Sequence, residues 1–181
     1  MRVVRMILVV LVWGLLNLPA RADAPPALES LVFLLGDWQA EGGGAPGSGR
    51  GGFSFVRALA DRVIVRKNSA EYPGSADRPA TRHEDLMVIY AEPGGAARAD
   101  YYDSEGHVIR YAISTPSPGE ASFVSEAAAD APRFRLSYKL NAVGLLEGRF
   151  EIAPPGRPEA FSVYVTWTAR RQGDAGQPAH R

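Results

Sequence analysis

The chain contains no cysteine. That excludes disulfides, thiolate metal centres and cysteine nucleophiles. An exported chain of this size then relies on its hydrophobic core alone for stability. Net charge is also missing, with 20 Lys and Arg against 20 Asp and Glu in 181 residues. Proteins that bind polyanions carry a strong basic field, so nucleic acid is not an expected partner. Histidine is scarce, with only His83, His107 and His180 available for acid–base or ligand chemistry.

Long apolar runs are nearly absent. The one substantial run is residues 6–18 (MILVVLVWGLLNL), preceded by Arg2 and Arg5 and followed by Pro19 and the small-x-small triplets Ala20-Arg21-Ala22 and Ala22-Asp23-Ala24. A positive start, a short apolar run and a small-residue cleavage site describe a secretory signal over residues 1–24. As a helix the run rises only about 20 Å, short of the roughly 30 Å core of a bilayer. The expectation is a periplasmic or secreted protein with no stable membrane anchor after cleavage, and no cysteine at the cleavage site to take a lipid. The expected domain spans residues 25–171, and the polar tail 172–181 (QGDAGQPAHR) is expected to be disordered.

The domain opens with residues 27–35 (ALESLVFLL). Leu28, Leu31, Val32 and Leu35 recur at helical spacing, and Gly36 stands where a C′ glycine ends a helix. Ten strand-like runs follow, at 37–43, 50–57, 61–71, 83–91, 97–103, 107–115, 120–127, 132–141, 145–153 and 159–170. Turn residues bound each of them. In the eighth run Phe134, Leu136, Tyr138 and Leu140 oppose Arg133, Arg135, Ser137 and Lys139. In the last, Phe161, Val163, Val165 and Trp167 oppose Ser162, Tyr164, Thr166 and Thr168. One apolar and one polar face per strand means a sheet with one wet side. The short connections force antiparallel neighbours and leave no room for crossover helices. About ten such strands are expected to close into an all-β, antiparallel up-and-down barrel, because closure removes both edges.

The hairpin around Ser104 carries the most chemistry. A three-residue loop Ser104-Glu105-Gly106 places Asp103 opposite His107, and then pairs Tyr102 with Val108, Tyr101 with Ile109, Asp100 with Arg110 and Ala99 with Tyr111. Asp100 and Arg110 would form an ion pair on the wet face. Asp103, Tyr101, His107 and Tyr111 then share the lumen side. Asp103 either orients His107 and closes the hairpin or forms with it the polar end of a ligand pocket. Ser104, His107 and Asp103 do not read as a hydrolase triad, since all lie within one turn with no oxyanion donors aimed at a shared point. His83 and Asp85 point to one face of their strand, whose charged opening reads as a solvated rim. His83 with His107 and a carboxylate has the donor types of a metal site, but the spacing is not diagnostic, and no metal is expected. Arg62 with Arg66, and Arg133 with Arg135, read as solvent faces; an inward arginine would instead select a carboxylate-bearing ligand. The glycines at 42–44 and 51–52 lack the order of a phosphate loop and read as a flexible connection at the barrel mouth.

The segment Leu31-Val32-Phe33-Leu34-Leu35-Gly36-Asp37-Trp38, with Glu41-Gly42 after it, resembles the opening of an uncharacterised bacterial family of lipocalin-like (calycin) barrels, similar in turn to nitrobindin-type heme-binding barrels. His83-Glu84-Asp85-Leu86-Met87 and Asp103-Ser104-Glu105-Gly106-His107 resemble that uncharacterised branch as well. The resemblance implies a short helix before a Gly-x-Trp strand, with Trp38 packed across the closed end. Nitrobindin-type barrels resemble one another in an iron-ligating histidine on a late strand, and residues 145–170 contain none, so no heme or other cofactor is expected. The expected function is binding of a small hydrophobic molecule, with His107, Asp103, Tyr101, Tyr111, His83 and Trp38 as candidate ligand-binding residues. The alternatives are an enzyme using His107 and Asp103 in the lumen, a heme-binding barrel, or a filled barrel with a structural or partner-binding role. No catalytic residue is assigned.

Overall fold

The computed structural model describes residues 24–41, 49–74, 79–128 and 130–173. The expected signal segment, most of the glycine-rich stretch and the tail with His180 lie outside the described residues. Ten strands form one closed antiparallel barrel: β1 (Gly36–Glu41), β2 (Arg50–Ala58), β3 (Val63–Tyr72), β4 (Thr81–Ala91), β5 (Ala97–Asp103), β6 (Val108–Ser114), β7 (Glu120–Ser125), β8 (Arg133–Leu140), β9 (Leu146–Ala153) and β10 (Ser162–Arg171). Each strand pairs with its predecessor, and β1 pairs with β10 to close the ring, with Trp38 opposite Arg171 and Ala40 opposite Ala169. The up-and-down barrel expected from the hairpin spacing is the fold that forms.

The N-terminal segment differs from the single helix its pattern suggests. It makes one α-turn, α1 (Pro26–Glu29), and then a 3-10 turn over Val32–Leu34. A 3-10 turn repeats every three residues. The buried positions are therefore Leu28, Leu31 and Leu34, while Val32 is 43% exposed. Gly36 follows with φ 116°, a conformation glycine adopts without a Cβ penalty. This segment covers the end of the barrel where β1 begins and β10 ends. The Trp38 ring is fully buried there, and its Nε1 donates to Leu34 O at 2.8 Å. The Arg171 guanidinium lies 4.3 Å from the Trp38 ring centre and donates to Leu35 O and, at 3.1 Å, to Phe33 O. Trp38 thus packs across the closed end.

Directly above this plug the interior is packed by aromatic rings, most of them in edge contact. Tyr138 stands at the centre, 5.6 Å from Phe55, 6.0 Å from Phe123, 6.1 Å from Phe53 and 6.1 Å from Trp167. Gly148 is necessary to this packing. A Cβ on it would overlap the indole of Trp167, the residue opposite it on β10.

The alternation expected along the last strand holds only in part. Pairing of β10 with β9 slips between Val163 and Val165, a bulge that adds one residue and resets the faces. Val165 and Trp167 face inward, whereas Val163 and Tyr164 are more than half exposed. Phe161 lies outside, 4.2 Å beneath the Arg135 guanidinium. Arg133 and Arg135 are on the outer face as expected. Both are ion-paired there, Arg135 to Glu151 at 2.7 Å and Arg133 to Glu159. Arg62 is exposed in the turn before β3. Asp100 and Arg110 are partners in the β5–β6 register, but the expected ion pair does not form and Asp100 Oδ1 is enclosed without a hydrogen bond. The reason is position: Asp100 is half-buried between β4 and β6, while the Arg110 side chain extends into solvent.

The β2–β3 turn is strained. Leu59, Ala60 and Asp61 hold φ values of 51°, 53° and 66°, and the left-handed region costs a residue with a Cβ roughly 1–2 kcal/mol. Replacing Ala60 by glycine removes that cost at an exposed position. We expect Ala60→Gly to stabilise the protein by about 1 kcal/mol after glycine's larger folding entropy is offset, raising Tm by about 2–4 °C. Differential scanning calorimetry checks this, and an unchanged or lowered Tm would show the turn to be unstrained.

Candidate functional site

Strands β3, β4 and β5 bring a chain of polar side chains to the inner face. The β3–β4 register sets Arg66 opposite Met87 and Asn68 opposite Asp85, and the β4–β5 register sets Asp85 opposite Asp103. Asp85 is the centre of the arrangement. It accepts hydrogen bonds from Arg66 and, at 2.8 Å, from Asn68 Nδ2, and it meets His83 Nε2 at 3.2 Å. Arg66 and Asp85 are both buried. This corrects two expectations, that Arg66 faces solvent and that the charged opening of β4 is a solvated rim. Even-numbered β3 residues and odd-numbered β4 residues point inward, and each buried charge makes the other tolerable. The carboxylate that the inward arginine selects is the protein's own.

The electrostatics follow from that pair. Burial raises the Asp85 carboxyl, but Arg66, with His83 and Asn68, holds it below the usual carboxylate value. Hydrogen bonding to Asp85, opposed by partial burial and aided by Glu105, lifts His83 to about 9. The Tyr138 hydroxyl sits beside the Arg66 guanidinium, but among the described residues neither it nor Arg66 Nε has a hydrogen-bond partner. The Arg66 guanidinium lies 5.6 Å from the Phe53 ring centre, which replaces part of its lost solvation.

Toward the open end the chain continues to the β5–β6 hairpin. The Tyr101 hydroxyl lies 3.3 Å from His83 Nε2 and 3.4 Å from Asp103 Oδ2, and burial drives its pKa up. The expected register is present: Ala99–Tyr111, Tyr101–Ile109 and Tyr102–Val108 are partners, and Gly106 takes φ 90°. Asp103 Oδ1 accepts the backbone N–H groups of Glu105 at 3.1 Å and His107 at 2.8 Å. Its Oδ2 meets His107 Nδ1 at 2.8 Å. The His107 ring itself is 65% exposed, so it stands on the rim rather than inside the lumen.

Of the six residues singled out from sequence, His83, Tyr101, Asp103 and His107 therefore meet in one network. Tyr111 is buried beneath them, 6.3 Å ring to ring from Tyr101. Trp38 is at the opposite, closed end. Arg66, Asn68, Asp85 and Glu105 join the network although none was among those six. For Arg66, Asn68 and Asp85 the signal was the inward parity of β3 and β4, readable once the strand register was known; Glu105 is brought in by the β5–β6 hairpin loop. On the far wall the inner faces of β8 and β9 present Phe134 and Phe150, stacked at 5.8 Å and only half-buried.

The late strands lack the histidine that a nitrobindin-type heme site would use: β9 and β10 carry none, and Trp167 fills the lumen beside them against Tyr138. The chain matches no known protein-family model and no curated protein.

The Arg66–Asp85 pair yields a sign test. Arg66→Met leaves a buried carboxylate alone and is expected to cost about 3–5 kcal/mol, whereas Arg66→Met with Asp85→Leu restores most of it. Tyr138→Phe removes only an unpaired hydroxyl and is expected to be neutral or mildly stabilising. Urea unfolding of the four proteins checks all three, and a double variant no more stable than Arg66→Met would contradict the pairing.

Proposed function

We propose that the protein is an exported, lipocalin-like binding barrel that holds a small, mainly apolar molecule in the open half of its interior. The observation that carries this is where the packing stops. From the plug up to Tyr111 and Phe123 most inward side chains are buried on one another, with Ile113, Leu140 and Trp167 partly buried among them. Nearer the open end Tyr101, Ile109, Phe134, Phe150 and Ile152 point inward yet stay partly exposed. Apolar side chains that turn into a barrel and stay partly exposed can line a ligand site, and a few polar groups on one side supply orientation. Here the apolar wall is Phe134, Phe150 and Ile152, and the polar wall is Tyr101, His83 and Asp103. His107 stands over the entrance. Burying an aromatic ligand face against Phe134 and Phe150 would use a stacked ring pair that stays partly exposed at the open end.

The oriented Asp103–His107 pair supports a second reading, general-base catalysis at the same mouth. It requires a turnover that His107→Ala abolishes while the barrel stays folded.

Native mass spectrometry of the protein purified from its own host tests the binding reading. A co-purifying small mass is expected, and Phe150→Arg, which places a charge in the apolar wall, should remove it with the circular dichroism spectrum unchanged. A clean apo mass, with no thermal shift across a panel of fatty acids, sterols and aromatic compounds, sinks the proposal.

A further inference from the structure

We propose that the β5–β6 hairpin and the start of β4 form a binding site for one Zn²⁺ ion, with His83, Asp103, Glu105 and His107 as its ligands. The inference does not depend on the interior holding a small molecule. Donor atoms of Asp103, Glu105 and His107 lie within 4.8 Å of one another. Asp103 Oδ2 and His107 Nδ1 are 2.8 Å apart, and His83 Nδ1 and Glu105 Oε2 are 2.9 Å apart. Four ligands about 2.0–2.2 Å from a tetrahedral zinc ion stand only a little farther from each other than these pairs do. Drawing the two pairs together needs movement of Glu105 and His107, the two most exposed members.

The chemistry of the set selects the metal. Two imidazoles with two carboxylates suit zinc, whereas calcium and magnesium take oxygen ligands. The two carboxylates also balance the two charges of the ion once the imidazoles are neutral.

The surroundings carry the features that a metal site needs beyond its ligands. The far nitrogen of His83, Nε2, faces the buried Asp85 carboxylate at 3.2 Å, an arrangement in which a carboxylate fixes a metal-binding imidazole. Asp85 is fixed in turn by Arg66 and Asn68. Asp103 is held by the two backbone N–H groups on its Oδ1, which leaves Oδ2 turned to the cluster. The hairpin is tied to β4 by Ser104, whose N–H donates to Glu84 O and whose Oγ accepts from Glu84 N. Ligands on two strands are thereby kept in register.

The test is calorimetric titration of Zn²⁺ into chelator-stripped, tag-free protein at neutral pH, with Co²⁺ absorption as a second readout. One ion per chain is expected, with the visible bands of tetrahedral Co²⁺. Glu105→Gln and His107→Ala, both at exposed rim positions, should each weaken zinc binding at least tenfold with folding intact. Tyr101→Phe, which removes a hydroxyl that touches the ligands His83 and Asp103, should weaken it by about tenfold. Ca²⁺ should give no stoichiometric heat. Absence of zinc binding, zinc binding unchanged in both rim variants, or equal binding of Ca²⁺ overturns the proposal.

Discussion

Trp38 faces Arg171 across the ladder that joins β1 to β10, and that ladder turns a ten-strand meander into a barrel. Without it the first and last strands would each expose a row of unpaired backbone groups. The same two residues also close one end. The Arg171 guanidinium lies on the Trp38 ring and binds the carbonyls of Phe33 and Leu35, and the Trp38 indole N–H binds Leu34. Ring closure and end closure are thus coupled through one cation–aromatic contact and a few hydrogen bonds to a 3-10 turn.

Once one end is sealed, the two halves of the interior diverge. The sealed half is packed by aromatic rings, most of them touching edge to face, a geometry that favours aromatic pairs beyond their buried area. The other half contains charges. A buried arginine and a buried aspartate cancel each other at the boundary, and from there hydrogen-bonding groups run through His83 and Tyr101 to Asp103 and the solvent-exposed His107. Below that boundary most of the described inward side chains are buried.

The polar network is also where local sequence rules fail, and this is the usual mark of a working region. A core optimised for stability alone would put an apolar pair where Arg66 and Asp85 stand. Three consecutive left-handed residues at the β2–β3 turn break a local rule too, but at the closed end, away from the network.

Much of the architecture was legible in the order of residues. Period-two alternation and turn residues located all ten strands to within a few positions, and the three-residue loop at Ser104 determined the β5–β6 register down to Ala99 and Tyr111. Those features are local, so neighbouring residues carry them. The N-terminal turn misled because Leu28, Leu31 and Leu34 fit a three-residue repeat as well as Leu28, Leu31, Val32 and Leu35 fit a helical one. Only docking on the barrel end decided between them. Likewise, a one-residue bulge at Tyr164 reset the faces of β10, and alternation read from sequence has no means of seeing it. The pairing of Arg66 with Asp85, and of His83 with Glu105 some twenty residues away, depended on which strands lie side by side and which faces turn inward. Composition showed that these charges exist; the closed barrel decided that they meet, because only closure gives every strand an inside.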